Sequence, residues 1–249
     1  MTNPESGDTP QSQPIFNLPG VVLLLLGAFA AVHAVRMWVL GEDANVEILL
    51  LFSFIPVRIT DPGYFGAPIP GGTAAQIWSF VTYAFLHADW SHLIFNGLWL
   101  AAFGSPVAIR FGSSRFLVYS LAGAVGGAFL HLAVHPSSAV PMVGASAAIS
   151  AHMAGAARFV FSAGGPIAGF RGGGPAAYHH PAPPLAAVIR NRSVLSFLGV
   201  WFGLNLLFGL FGGATGLASG AIACEAHIGG FLVGLLLFPL LDPVSNRRD

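Results

Sequence analysis

The sequence predicts an all-α membrane protein, a bundle of six transmembrane helices with interfacial helices in its first loop. Three observations carry that expectation. Hydrophobic residues make up 55% of the 249-residue chain and charged residues only 8%, with a mean hydropathy of +0.73; a water-soluble domain carries about 25% charged residues. Six apolar stretches approach the length of about 20 residues that a spanning helix needs. Basic residues, all ten of them arginine, fall almost entirely on alternate connections between those stretches. Ten acidic residues balance them, so no basic excess points to nucleic acid and no such partner is expected. Cys224 is the single cysteine, which excludes an intrachain disulfide framework and a Cys-rich metal site.

Residues 1–14 are polar and rich in Pro, Ser and Gln, and read as a disordered cytoplasmic tail. The first span is expected at 15–40; its length and uncharged start fit a retained span better than a cleaved signal peptide. The apolar patch 46–57 is short and stopped by Pro56, and the aromatic-rich 77–86 is similar, so both read as interfacial pieces of a long first loop. Further spans are expected at 91–109, 116–134, 144–161, 194–211 and 217–241, giving a six-helix domain over 15–241. Residues 162–187, with GGP, RGGGP and HHPAPP, read as a flexible cytoplasmic loop. Residues 242–249 form a cytoplasmic tail. With both termini cytoplasmic, Arg110, Arg115, Arg158, Arg171, Arg190, Arg192, Arg247 and Arg248 lie inside, and Arg36 and Arg58 outside. An all-arginine, Ala/Gly-rich chain of this kind suits a bacterial inner membrane. Nothing in the sequence sets an oligomeric state.

Strongly polar side chains in a span are costly and point to function. The second span opens HADWSHLIFNGLW, placing His92 and Asn96 four residues apart on one helix face. The fourth opens Gly144-Ala145-Ser146. The sixth holds AHIGGFLVG, with His227 expected about 12 Å below Ser219 at 1.5 Å per residue. The proline-containing HPSSAVPMVG lets the start of the fourth span dip below the surface as extended chain, which is tolerated only against protein or a cavity. Ser146, His227, His92 and Asn96 then meet at one level.

Serine becomes a useful nucleophile beside a base, most often histidine, and no carboxylate within the spans shares a helix face with either residue, so a Ser146/His227 dyad is the minimal proposal. Free N–H groups at the helix start of Ser146, joined by His92 and Asn96, would stabilise an oxyanion. Gly144 leaves room beside Ser146, and Gly230 and Gly234 allow the sixth helix to approach closely. The same spacing at Gly123/Gly127 and Gly199/Gly203 is expected by chance among 32 glycines. A second Gly-x-Ser, at Gly112-Ser113-Ser114, lies in a cytoplasmic turn and is set aside. His131, His135 and His152 read as structural or interfacial, and Asn205 as an interhelical hydrogen bond. The adjacent His179 and His180 are too few for a metal site, and neither metal nor cofactor is expected.

The ordered set HxxxN (His92, Asn96), GxS (Gly144, Ser146) and AHxxGxxxG (Ala226, His227, Gly230, Gly234), with His87 five residues before His92, resembles the rhomboid family of intramembrane serine proteases. That resemblance implies Ser146 as nucleophile, His227 as general base, and His92, Asn96 and Ser146 in the oxyanion hole. It implies cleavage of single-pass transmembrane proteins near the outer membrane boundary, with the lipid bilayer as surroundings. The first loop would lie partly in the outer leaflet, and the fifth span with an outer cap would form the substrate entry side. Departures from the family pattern are Ser79 where an arginine often follows Trp78, Ala108 for a glutamate two residues before Arg110, and Ser150 for a tyrosine that stacks under the catalytic histidine. Glu225 falls on a different helix face from His227 and reads as water-facing or loop-contacting. Two other function classes compete. A catalytically silent rhomboid-like client binder would normally lack the serine or histidine, and a small histidine-based transporter would tend to show internal repeats.

Overall fold

The computed structural model of the chain describes residues 18–66, 70–167, 175–215 and 223–244. The expected tail 1–14, residues 168–174 of the Gly/Pro-rich loop, Ser219 and residues 245–249 lie outside the described residues. Helix α1 (Gly20–Trp38) begins after Pro19, five residues later than the hydropathy limit, because proline suits the position before a helix but not its interior. The first loop contains α2 (Glu42–Phe52), α3 (Val57–Thr60) and α4 (Gly72–Thr82), the last continuing as a 3-10 turn at Tyr83–Phe85.

Helix α5 (Trp90–Trp99) starts on Asp89, whose carboxylate accepts the His92 N–H. It runs through a π-helical turn, Leu100–Gly104, into α6 (Ser105–Phe111), making one rod from Trp90 to Phe111. Pro106 lacks the N–H that would bond four residues back, which accounts for the irregular turn. Helix α7 (Ser113–Val134) follows Gly112, and α8 (Ser146–Phe159) lies at the centre. After α9 (Leu185–Val188), α10 (Arg192–Thr215) and α11 (Cys224–Leu241) complete the chain.

Among the described residues, four helices are long and apolar enough to cross a membrane: Gly20–Trp38, Trp90–Phe111, Ser113–Val134 and Cys224–Leu241. They present Leu24, Ile94, Leu98, Val118, Phe129, Leu236 and Leu240 outward, which water would penalise and lipid would not. The protein is an integral membrane protein. Helix α8, with 14 residues, is only about 21 Å long. Every one of its residues from Ala147 to Phe159 is buried.

Glycine and alanine seat α8 between α7 and α11. A Cβ on Gly127 would lie 2.4 Å from Ala147 Cβ, and one on Gly123 2.6 Å from Ala151 Cβ. From the other side, a Cβ on Gly230 would fall 2.0 Å from the Ala147 carbonyl oxygen and one on Gly234 2.6 Å from Ala151 Cα. The Gly123/Gly127 pair, expected to be chance, is therefore a packing face. Among the described residues, Gly199 and Gly203 have nothing within 4 Å of such a Cβ, so the same spacing there carries no described contact. Buried hydroxyls reinforce the seam: Tyr83 Oη donates to the Ala124 carbonyl and Tyr119 Oη to the Gly234 carbonyl, both at 2.8 Å.

Near two of the departures from the family pattern, Ser79 and Ala108, other side chains tie the elements together. Trp78 Nε1 donates to the Leu51 carbonyl at 2.8 Å, and Arg58 places a guanidinium on the carbonyls of Ser53 and Leu50. At the other end, Arg110 makes a bidentate pair with Asp242, both contacts 2.9 Å, and donates to the carbonyls of Tyr178 and His180. This pair is buried, so each member needs the other.

Candidate active site

The site lies where three elements arrive independently. Extended chain before α8 is held by a bridge between Phe54 and Met142, with N–H to carbonyl distances of 3.0 and 2.8 Å, and by Gly144 N–H donating to the Tyr83 carbonyl at 3.0 Å. This is the inward extended segment expected from its prolines. Gly144 has φ +119°, and a Cβ there would sit 2.7 Å from His92 Nε2. Glycine is required on both counts. Ser146 then opens α8, at the end where backbone N–H groups lack intrahelical acceptors.

Ser146 Oγ lies 2.7 Å from His227 Nε2. His227 occupies the first turn of α11, which starts at Cys224. The expected descent from Ser219 falls outside the described residues; the helix expected from 217 starts at Cys224, so the imidazole reaches Ser146 from near the helix end. On the far side of the ring, Nδ1 is 2.5 Å from Asn205 Oδ1 on α10. An amide oxygen only accepts, so this contact places the ring proton on Nδ1 and leaves Nε2 to accept from the serine. Asn205 also donates from Nδ2 to the Trp201 carbonyl at 2.8 Å, and the Trp201 ring lies 5.8 Å from the His227 ring. The expected interhelical bond from Asn205 is present, and its partner is His227. Sequence reasoning did not include Asn205 in the site.

His92 and Asn96 share a face of α5, with Asn96 Nδ2 donating to the His92 carbonyl at 3.0 Å. The Ala88 N–H donates to His92 Nδ1, which leaves Nε2 as the protonated, donating nitrogen beside Gly144. Both side chains therefore present donors toward the start of α8. His87 stands behind them, its ring 5.3 Å from that of His92 and buried against Phe29. Burial, with the neighbouring His92, pushes the His87 imidazole down to about 3, so it stays neutral. Arg36 holds this loop by donating to the His87 carbonyl at 2.8 Å and to Asn45 Oδ1 at 3.0 Å.

Ser150, in place of the stacking tyrosine, donates to the Ser146 carbonyl at 2.7 Å within its own helix. Glu225 points away from His227, its Oε1 2.5 Å from His131 Nδ1 on α7. His152 accepts or donates to Ser120 at 2.7 Å and stacks on Phe116, a packing role.

A model of the rhomboid domain matches residues 74–242, more than half of the chain. The protein belongs to the rhomboid family. It is similar to the rhomboid protease GlpG of Yersinia pestis (strain Pestoides F), at 24% identity over 199 residues, covering 78% of this chain and 60% of that protein. The chain thus spans 60% of the length of that curated relative. Rhomboid-related protein 3 of Homo sapiens is 37% identical over 84 residues, covering 32% of this chain and 20% of that protein.

Proposed function

We propose that the protein is an intramembrane serine endopeptidase that hydrolyses peptide bonds of single-pass transmembrane proteins near the outer membrane boundary. The observation that carries this reading is the 2.7 Å approach of Ser146 Oγ to His227 Nε2 at the start of a buried helix. In this mechanism His227 Nε2 takes the Ser146 proton as Oγ attacks the scissile carbonyl carbon. The carbonyl oxygen becomes an oxyanion facing the Ser146 N–H, His92 Nε2 and Asn96 Nδ2. His227 returns its proton to the leaving amine as the C–N bond breaks. Water, activated in turn by His227, releases the acyl chain and restores the serine. Asn205 keeps the imidazole in the tautomer that each step uses. Gly144, Gly230 and Gly234 set the approach of backbone to His92 and of α11 to α8.

The same reading places six helices in the membrane. It adds α8 and α10 to the four long apolar rods, with both termini on the cytoplasmic side of a bacterial inner membrane. Helices α2 to α4 would then lie at the outer interface, residues 1–14 and 242–249 would be cytoplasmic tails, and 162–187 a cytoplasmic loop. Single-cysteine labelling from either side of sealed vesicles tests this arrangement; modification of a 162–187 cysteine from outside overturns it.

The decisive experiment incubates purified protein with a model transmembrane substrate beside Ser146→Ala and His227→Ala. Cleavage by the wild type and its loss in both variants is expected. Undiminished cleavage by either sinks the dyad. Absent cleavage together with no fluorophosphonate labelling of Ser146 favours the silent client-binding alternative.

A further inference from the structure

At the end of the bundle that carries Ser146, three ligand-bearing side chains converge outside the dyad. His131 comes from the last turn of α7, His135 caps that helix, and Glu225 is the second residue of α11. His131 Nδ1 is 2.5 Å and His135 Nε2 3.5 Å from Glu225 Oε1, and the three ligand atoms all lie within 4.8 Å of one another. The helices that hold them are locked together just below: a Cβ on Gly229 would lie 2.5 Å from the Gly126 carbonyl oxygen. The two helices are therefore closely packed just below the cluster.

We propose that His131, His135 and Glu225 form a site for a divalent transition metal of the Zn²⁺ type, which pins the end of α7 to the first turn of α11. Two imidazoles and a carboxylate match the borderline nitrogen and oxygen donors such an ion takes, and the rings of His131 and of His135, which caps the helix, both face Glu225 Oε1. Zinc bonds of about 2.0–2.2 Å in a tetrahedron set donors roughly 3.4 Å apart. The observed triangle reaches that with shifts of about an ångström, the metal taking the place of the direct contact between His131 and Glu225. Water supplies the fourth ligand from the side of His135, whose side chain is half exposed while His131 and Glu225 are 10% and 18% exposed. With neutral imidazoles, one carboxylate offsets half of the metal's charge. Glu225 lies two residues before His227, so an occupied site also steadies the turn from which the imidazole projects.

The test is titration of the full-length, tag-free protein in detergent with Co²⁺ alone, followed by visible absorption, then displacement by Zn²⁺. One equivalent of tetrahedral Co²⁺ is expected, displaced by Zn²⁺, with a higher melting temperature in the bound form. His135→Ala and Glu225→Gln should weaken binding by more than about 10-fold. Their side chains are exposed or partly so, and a melting curve without metal checks that each variant is folded. His179→Ala/His180→Ala, which removes the adjacent loop pair, should leave binding unchanged, as should Ser146→Ala, which makes the result independent of protease activity. Absence of tetrahedral Co²⁺, binding that survives both ligand variants, or binding lost only with His179 and His180 overturns the proposal.

Discussion

Helices α8 and α10 both contribute to the candidate site, yet they are held in opposite ways. From Ala147 to Phe159 every side chain of α8 is buried, and glycines on two neighbours bring their backbones against it. Between Arg192 and Leu207 of α10, only Val194 and Trp201 are buried. Trp201 and Asn205, one turn apart, are nevertheless the α10 residues beside His227. The proposed nucleophile is thus placed by backbone packing, whereas its base is oriented by a few side-chain atoms on a sparsely packed helix. Errors in packing should abolish the site, and errors in α10 should only detune it.

The strongest test of that contrast is Gly230→Ala. The new methyl would meet the Ala147 carbonyl, a backbone atom that cannot rotate away, so α11 and α8 must separate. A displacement of about 1 Å costs about 100-fold in rate, and proteolysis and melting temperature should both fall. Gly203→Ala, with open space at the corresponding Cβ, should leave both unchanged. Equal damage from the two substitutions breaks the comparison.

A smaller effect is expected from Asn205→Ala. Loss of one hydrogen bond to the imidazole, worth about 1–2 kcal/mol, should lower kcat about 10-fold while KM stays within about twofold. Fluorophosphonate labelling of Ser146 should slow in parallel. Asn205→Asp, which keeps an acceptor facing Nδ1, should recover most of the labelling rate. A fall in melting temperature with unchanged kcat would assign Asn205 to packing alone. Least of all should follow from Ser150→Ala. Among the described residues its hydroxyl bonds to the carbonyl one turn earlier, a contact that helices tolerate losing, so activity should stay within about threefold. A larger loss would mean that Ser150 supports the histidine after all.

The residues expected to act together were legible because each sits in a pattern that hydropathy alone does not explain. His92 and Asn96 share a face by spacing, Ser146 follows a proline-bearing extended segment, and His227 precedes a glycine pair. Their partners were less legible. Asn205 stands out as a polar residue in an apolar helix, but α10 carries apolar residues all round, so its sequence does not say which face meets α11. Asp242 lies 132 positions from Arg110, and Arg58 is held by backbone carbonyls of Ser53 and Leu50, which no sequence spacing announces. Glycine spacing failed as a guide for the same reason: Gly123/Gly127 and Gly199/Gly203 read alike until the neighbouring helix is in place.

By itself the sequence determined the solvent, the helical class, the family and the four polar residues that converge. Those follow from local costs, since charge is expensive in lipid and each spanning segment must satisfy its own backbone. Tertiary structure alone decided that His227 meets Ser146 from the first turn of α11 and that Asn205 orients it. It also decided that Glu225 turns to His131 and His135. Those outcomes depend on how far helices rotate and slide before glycine and alanine let them touch, which is a property of pairs of helices and not of any one of them.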